Sequence, residues 1–242
     1  MMRCCFITLG CRVNQYESDA MAELLTQAGF EITENPAEAD VCIVNTCTVT
    51  NIADRKSRQM LSKAHKLNPN AKLIAAGCFA QRSPEAAAKL EGVYAVLGSA
   101  DKNRVVELVK SIAEERENEP KSEKCNCGEK ELCDCCGGMK KFEQPENSEC
   151  SGNAAGGAKI LVKDVMHEHE FEEMSAVHEG RTRAYLKIQD GCNMFCTYCA
   201  IPYARGGLRS RSIESVRAEA EKLNNEGFSE VVLTGIHLMS YG

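Results

Sequence analysis

Lys187-Ile188-Gln189-Asp190-Gly191-Cys192-Asn193-Met194-Phe195-Cys196-Thr197-Tyr198-Cys199 places three thiols in a Cys-x3-Cys-x2-Cys pattern, just after an apolar run from Ala184 to Ile188 that reads as a strand. Cysteine thiolates hold cubane iron–sulfur clusters, and close spacing lets one loop wrap a single cluster with few residues to order. Three local thiolates on four irons leave one iron open, and an open position separates a chemical metal site from a closed structural one. With 15 cysteines in 242 residues, roughly 0.06 such triplets are expected by chance. The competing reading is a zinc knot or a buried thiol cluster, but no fourth Cys or His follows closely enough to close a tetrahedron locally.

The length admits one large domain or two smaller ones, and 43% hydrophobic residues indicates a folded protein. A net charge of −6 neither selects nor excludes a nucleic-acid partner, because binding depends on where the positive charge lies. Met1 to Gly10 has no apolar signal region, and no stretch is long enough to span a bilayer. The cysteines therefore read as metal or redox thiols of a reducing cytoplasm rather than as disulfides.

Outward from the triplet, the chain alternates strands and helices. Cys4 to Leu9 reads as a strand ending at Gly10-Cys11, followed by a helix capped by Asn14 or Ser18, with Ala20, Met21, Leu24, Leu25 and Ala28 inward and Gly29 as its stop. Val41 to Val44 is a strand ending at Asn45-Thr46-Cys47, and Ala53 to Leu67 a helix with Met60, Leu61, Ala64 and Leu67 inward. Lys72 to Ala76 ends at Gly77-Cys78, with Ser83-Pro84-Glu85 opening the next helix; Val93 to Leu97 and Asn103 to Ile112 complete the series. This alternation predicts α/β architecture with an open parallel sheet. Cys11, Cys47 and Cys78 each follow a strand, 36 and 31 residues apart, so all three are expected at one sheet edge, where open α/β sheets bind ligands. Cys4, Cys5 and Cys42 lie inside strands and read as packing residues. Beyond the triplet, Ile213 to Asn225 reads as a helix capped by Ser212, with Ile213, Val216, Ala220 and Leu223 inward, and Val231 to Leu233 as a strand ending at Thr234-Gly235.

The triplet, with Tyr198 before its last Cys, Lys187 to Cys192 leading in and Ile201-Pro202-Tyr203-Ala204-Arg205-Gly206 leading out, resembles the radical S-adenosylmethionine (SAM) methylthiotransferases that modify tRNA. Thr8 to Glu17 and Asn45 to Asn51 resemble the amino-terminal domain of the same family. The versions here, with Ser57-Arg58-Gln59-Met60 downstream, are most similar to the branch acting on N6-threonylcarbamoyladenosine at position 37, rather than those acting on isopentenyladenosine or a ribosomal aspartate. The resemblance implies two [4Fe-4S] clusters. One, on Cys192, Cys196 and Cys199, chelates and cleaves SAM to a 5'-deoxyadenosyl radical; the other, auxiliary, on Cys11, Cys47 and Cys78, handles the sulfur to be inserted. It implies that Tyr198 lies against SAM and Gly235 near its polar end. It implies hydrogen abstraction from C2 of the modified adenine and transfer of a methylthio group, with a tRNA anticodon loop and an electron donor such as flavodoxin as partners.

The expected organisation is a methylthiotransferase domain over residues 1–112, a flexible Cys-rich linker over 113–180, and the start of a radical SAM partial (β/α) barrel over 181–242. Because Gly242 follows only two barrel strands and no carboxyl-terminal RNA-binding domain, the chain is expected to be a fragment or a truncated product. Cys125, Cys127, Cys133, Cys135, Cys136 and Cys150, with His167 and His169, read either as a zinc site or as irregular thiols that bind metal adventitiously; Val162 to Val165 reads as a short strand. Two basic sets are expected to face RNA or solvent: Arg55, Lys56, Arg58, Lys63 and Lys66 on the second helix, and Arg205, Arg209 and Arg211 beside the triplet. No Ser/His/Asp constellation and no phosphate-cradling glycine loop occurs, and His237 reads as an incidental polar contact. The rival from another class is a non-catalytic iron–sulfur or zinc-binding redox module.

Overall fold

The computed structural model describes residues 1–118, 158–176 and 182–242. The amino-terminal part runs β1 (Arg3–Thr8), α1 (Arg12–Gln27), β2 (Glu31–Ile32), β3 (Val41–Thr46), α2 (Asn51–Leu67), β4 (Lys72–Gly77), α3 (Cys78–Arg82), α4 (Pro84–Ala88), β5 (Val93–Leu97) and α5 (Val105–Asn118). A further strand, β6 (Lys159–Leu161), joins β5, giving a six-stranded parallel sheet in the order β2-β1-β3-β4-β5-β6. The strand order reverses between β1 and β3, a topological switch point.

Alternation along the strands divides two cores. Cys4, Val41, Ile43, Ile74 and Leu97 face α1 and α5 through Tyr16, Met21, Leu25, Val109 and Ile112. Cys5, Cys42, Val44, Leu73 and Val96 face α2, α3 and α4 through Leu61, Ala64, Phe79, Ala80 and Ala87. The strands are buried on both faces, which is why they read as continuous apolar runs. The cysteines inside strands pack as small hydrophobes.

Several local expectations change. Cys11 occupies the N-cap of α1 without capping a backbone N–H, its thiol instead donating to Asn14 Oδ1 at 3.9 Å; Asn14 and Ser18 lie inside the helix with their side chains buried. Helix α2 begins at Asn51, capped by Thr50 Oγ1, which accepts from the Ala53 N–H at 3.1 Å. Leu67 is exposed at its last turn, and Ser83 makes no side-chain cap to the five-residue α4. Helix α5 runs to Asn118, past the expected boundary at 112, and β6 replaces the strand anticipated at Val162 to Val165. Segment 158–176 packs rather than linking loosely: Val165, Met174 and Ala176 are buried, and the Tyr16 hydroxyl donates to the Met174 carbonyl at 2.5 Å.

The second part holds β7 (Ala184–Lys187), β8 (Gln189–Asp190), α6 (Ile201–Arg205), β9 (Arg209–Ser210), α7 (Ile213–Asn225) and β10 (Val231–Thr234). β7 and β10 pair in parallel, with Leu223 of α7 buried against Ala184, Leu186 and Ile188; β8 and β9 pair antiparallel. Ser212 caps α7, accepting from the Ser215 N–H at 3.2 Å, whereas Ile213 is exposed rather than buried.

A buried ionic cluster joins the parts. Glu17 of α1, 0% exposed, contacts Lys187 Nζ at 2.8 Å, Arg205 Nη1 at 2.9 Å and Lys102 Nζ at 3.3 Å. Asp190 contacts Lys187 at 2.7 Å, Arg205 at 3.0 Å and Arg209 at 3.8 Å. Burial by itself would raise the Glu17 carboxyl, but Arg205, then Lys102 and Lys187, offset it and hold the group well below the usual carboxylate range. Asp190 is held low in the same way, with burial opposed by Arg205, Lys187, Lys102 and Arg209. Lys187 is raised, the pull of Asp190 and Glu17 outweighing burial and the Arg205 charge.

Because both carboxyls are depressed in the folded state, their stabilisation is complete above their unfolded values of about 4 and is lost as pH falls below the usual range. The raised Lys187 contributes fully below about pH 10 and weakens only above it. Melting temperature followed by circular dichroism should therefore be flat near neutrality and fall on acidification; a rise toward pH 3 would contradict this assignment. Glu17→Gln, which leaves buried cations unmatched, should lower unfolding stability by about 3–5 kcal/mol in urea titration.

Candidate cofactor sites

Three turns bring Cys11, Cys47 and Cys78 together at the carboxyl edge of the sheet. Gly10 has φ +99°, and a Cβ there would meet Cys47 Cβ at 2.8 Å and Sγ at 2.9 Å, so the first cysteine turn lies against the second. Cys47 is clamped by Ser57, whose hydroxyl accepts from the Cys47 N–H at 3.0 Å and donates to its carbonyl at 2.7 Å. Cys78 opens α3 after Gly77, whose φ is +87° and where a Cβ would meet the Thr46 carbonyl oxygen at 2.7 Å, leaving no room for a side chain. Asn14 ties the first two turns, donating to the Leu9 carbonyl at 2.8 Å and the Thr46 carbonyl at 3.0 Å.

The three thiols line one cavity of 340 Å³, shared with Arg205 and with Thr234, Gly235 and Ile236 beyond β10. Cys11 is exposed, while Cys47 and Cys78 are buried. Burial raises the Cys78 thiol above its ordinary value, against the opposing charge of Arg205. In a cubane each thiolate bonds a different iron, so the ligands must surround a volume; a single ion would need them to converge. Three thiols lining one cavity beside Arg205 are the donor set that an anionic cluster would take.

The second trio occupies the loop between β8 and α6. Cys192 donates its N–H to the Gly206 carbonyl at 3.1 Å, Cys199 to the Cys196 carbonyl at 2.9 Å, and Phe195 adopts a left-handed φ of 45°. Gly191, at φ +70°, lies where a Cβ would meet the Gly207 carbonyl oxygen at 1.8 Å. Cys196 is exposed, and Cys192 and Cys199 half-buried. Tyr198, 89% exposed, lines with Cys199 a 400 Å³ cavity bounded by Thr48 to Asn51, Arg82 and Tyr203.

Gln189 is the residue that sequence reasoning left without a role. Its Oε1 accepts from the Ile236 and His237 N–H groups at 2.7 and 2.8 Å, and its Nε2 donates to the Asp190 and Gly191 carbonyls at 2.8 and 2.6 Å. It thus fastens the turn after β10 to the start of the cysteine loop. Gly235 is needed for that contact, since a Cβ would lie 2.9 Å from Gln189 Oε1. The available signal was polarity: Lys187, Gln189 and Asp190 interrupt a run otherwise typical of a buried strand. His237 bonds Ser240 Oγ through Nδ1 at 2.6 Å.

The basic residues divide. Arg55, Lys56, Arg58, Lys63 and Lys66 are exposed on α2. Arg205, Arg209 and Arg211, expected to face RNA or solvent, are 1%, 7% and 5% exposed. Arg205 is bound to Glu17 and Asp190, Arg209 donates to the Arg205 carbonyl at 2.7 Å, and Arg211 pairs with Glu173 at 2.7 Å and Glu219 at 3.6 Å. Their guanidinium groups are committed inside the protein. The cysteines between 119 and 157 lie outside the described residues, while His167 is exposed beside Asp164.

Residues 3–98 match the family described as Uncharacterized protein family UPF0004, and residues 186–241 match the Radical SAM superfamily. The threonylcarbamoyladenosine tRNA methylthiotransferase MtaB of Bacillus subtilis (strain 168) is 38% identical over 238 residues, 98% of this chain and 44% of that protein. Over nearly its whole length the chain is similar to tRNA methylthiotransferases, with a Radical SAM match in its second part. MtaB of Aquifex aeolicus (strain VF5) is 35% identical, covering 100% of this chain and 49% of the relative. The ribosomal protein uS12 methylthiotransferase RimO of Chloroflexus aurantiacus is 32% identical, covering 98% and 46%. The chain thus spans less than half the length of each of these methylthiotransferases. Among solved structures, the radical SAM methyltransferase TsrM from Kitasatospora setae, bound to tryptophan and a SAM analogue, aligns with TM-score 0.56 at 15% identity over 97% of this chain and 48% of that one, a likeness of fold. Among the described residues, no helix is long and apolar enough to cross a membrane.

Gly77→Ala should cost at least about 1 kcal/mol, because the new side chain meets both a left-handed backbone and the Thr46 carbonyl. Urea unfolding measures it, and parent-like stability would show that this turn relaxes freely.

Proposed function

We propose that this chain carries the two cluster sites of a radical SAM methylthiotransferase that adds a methylthio group to C2 of N6-threonylcarbamoyladenosine at position 37 of tRNA. The observation that carries the reading is the 340 Å³ cavity, which combines Cys11, Cys47 and Cys78 from the UPF0004 part with Thr234, Gly235 and Ile236 from the radical SAM part. Sulfur held at the first trio would face the ground where the second part presents its own cofactor. When bound, two [4Fe-4S] clusters and SAM supply the radical and the transferable sulfur.

The chain's own residues hold and orient. Cys11, Cys47 and Cys78 would hold the auxiliary cluster, and Cys192, Cys196 and Cys199 the cluster that binds SAM. Tyr198 and Gly235 would line the SAM side, with Gln189 fastening the turn at Gly235 through the Ile236 and His237 N–H groups. The exposed cations of α2 supply phosphate contacts for the anticodon loop, which suits a site whose substrate base must be splayed from a single strand. A flavodoxin-like donor supplies electrons, and a reducing cytoplasm keeps the thiols free. The threonylcarbamoyladenosine branch is preferred to the uS12 branch because MtaB relatives reach 38% identity within a range of 30–38%, whereas the RimO relatives share 31–32%.

Anaerobic reconstitution with iron and sulfide should load about eight irons per chain, falling to about four in Cys47→Ala and in Cys196→Ala; zinc uptake with no iron-dependent absorbance would favour a redox module instead. Nucleoside mass spectrometry of tRNA from cells lacking the gene should show N6-threonylcarbamoyladenosine without its methylthio group. An intact adduct, or loss of methylthio-isopentenyladenosine instead, would overturn the substrate assignment.

A further inference from the structure

Arg205 belongs to α6, six residues after Cys199 in sequence, yet it lines the cavity of the other trio, and its charge acts on the Cys78 thiol there. It is 1% exposed and contacts Glu17 Oε1 at 2.9 Å, Glu17 Oε2 at 3.1 Å, Asp190 Oδ1 at 3.0 Å, Asp190 Oδ2 at 3.1 Å and Asn14 Oδ1 at 2.5 Å. The surrounding ionic cluster does not balance. Within ion-pair distance, Arg205, Lys102, Lys187 and Arg209 meet two carboxylates, Glu17 and Asp190, an excess of two positive charges in that set; Asp101, Glu168, Glu170 and Glu172 line a separate cavity on the Arg209 side, away from Cys11, Cys47 and Cys78.

Buried charge without a counter-charge is costly, and two of these cations would satisfy the two carboxylates. Structural stability by itself therefore does not account for four. The cavity with Cys11, Cys47 and Cys78 adjoins the excess directly, and Arg205 is the member of the set that lines it. A cube held by three thiolates is an anion, and taking up an electron makes it more negative. A fixed cation beside it consequently favours the reduced form over the oxidised one, more so in a low-dielectric setting.

Resting on the function proposed above, we propose that the cation excess centred on Arg205 raises the reduction potential of the cluster carried by Cys11, Cys47 and Cys78. Arg205 is then a positioning and tuning residue for the sulfur-handling site, supplied by the part of the chain that carries the SAM site. Asn14 extends the link, since the same side chain that accepts from Arg205 holds the Leu9 and Thr46 carbonyls beside Cys11 and Cys47.

The test uses the full chain with Cys192, Cys196 and Cys199 replaced by alanine, so that one cluster remains, titrated with dithionite and followed by electron paramagnetic resonance. Arg205→Gln should shift the midpoint downward by about a tenfold change in the reduction equilibrium, about 59 mV for one electron. Arg205→Lys should keep most of the parent potential. Arg205→Gln combined with Glu17→Gln restores the excess of two charges and should return toward the parent, whereas a merely structural role makes the double variant no better than the single one. Equal iron content with an unchanged potential in Arg205→Gln overturns the inference. If Arg205→Gln holds no iron, Lys102→Gln decides: a smaller downward shift supports the inference, and no shift overturns it. Failure of the parent itself to hold a four-iron cluster overturns the functional reading instead.

Discussion

Glu17 is a carboxylate with no access to water, and the arrangement of this chain depends on how it is neutralised. It lies on α1 of the sheet domain, but two of its three cationic partners, Lys187 and Arg205, come from the second part. An ion so placed is tolerable only while its partners are present, because desolvation is repaid by short-range attraction alone. The two parts are thus held in one register. That register sets the turn after β10 over the cavity of the first cysteine trio.

The doubly wound sheet explains why the cavity exists where it does. Parallel strands end together, and the reversal of strand order between β1 and β3 separates the turns at Cys11 and Cys47, with α1 and α2 leaving on opposite faces. Cys78 follows on the next strand. Tight turns carry each thiol, and glycine at positions 10 and 77 lets the backbones approach more closely than any side chain permits. The second trio needs none of this assembly, since one loop supplies all three of its thiols.

The arginines after the triplet show how far a linear reading reaches. Arg205, Arg209 and Arg211 sit in a short polar stretch beside the cysteine loop, and in sequence they are indistinguishable from a phosphate-binding set. What buries them is partnership with Glu17, Asp190, Glu173 and Glu219, at separations of up to 188 residues. Periodicity contains no information about such pairs. The same limit misplaced the short strand expected at Val162 to Val165, which forms as β6 where the free edge of β5 pairs with it, and hid the clamp made by Gln189, whose acceptor and donor atoms serve two different loops.

Local chemistry alone determined much: the alternation of strands and helices, the spacing of the triplet, and the placement of three further cysteines after strands. These follow from short-range rules, in which apolar runs, turn residues and thiol spacing act within one strand–helix unit. Tertiary structure decided which charges meet. It turned three arginines inward, left the cations of α2 in solvent, packed segment 158–176 against the sheet, and set Arg205 against thiols contributed by three distant turns. Those outcomes depend on burial and long-range pairing, which exist only once the sheet, its helices and the second part occupy the same space.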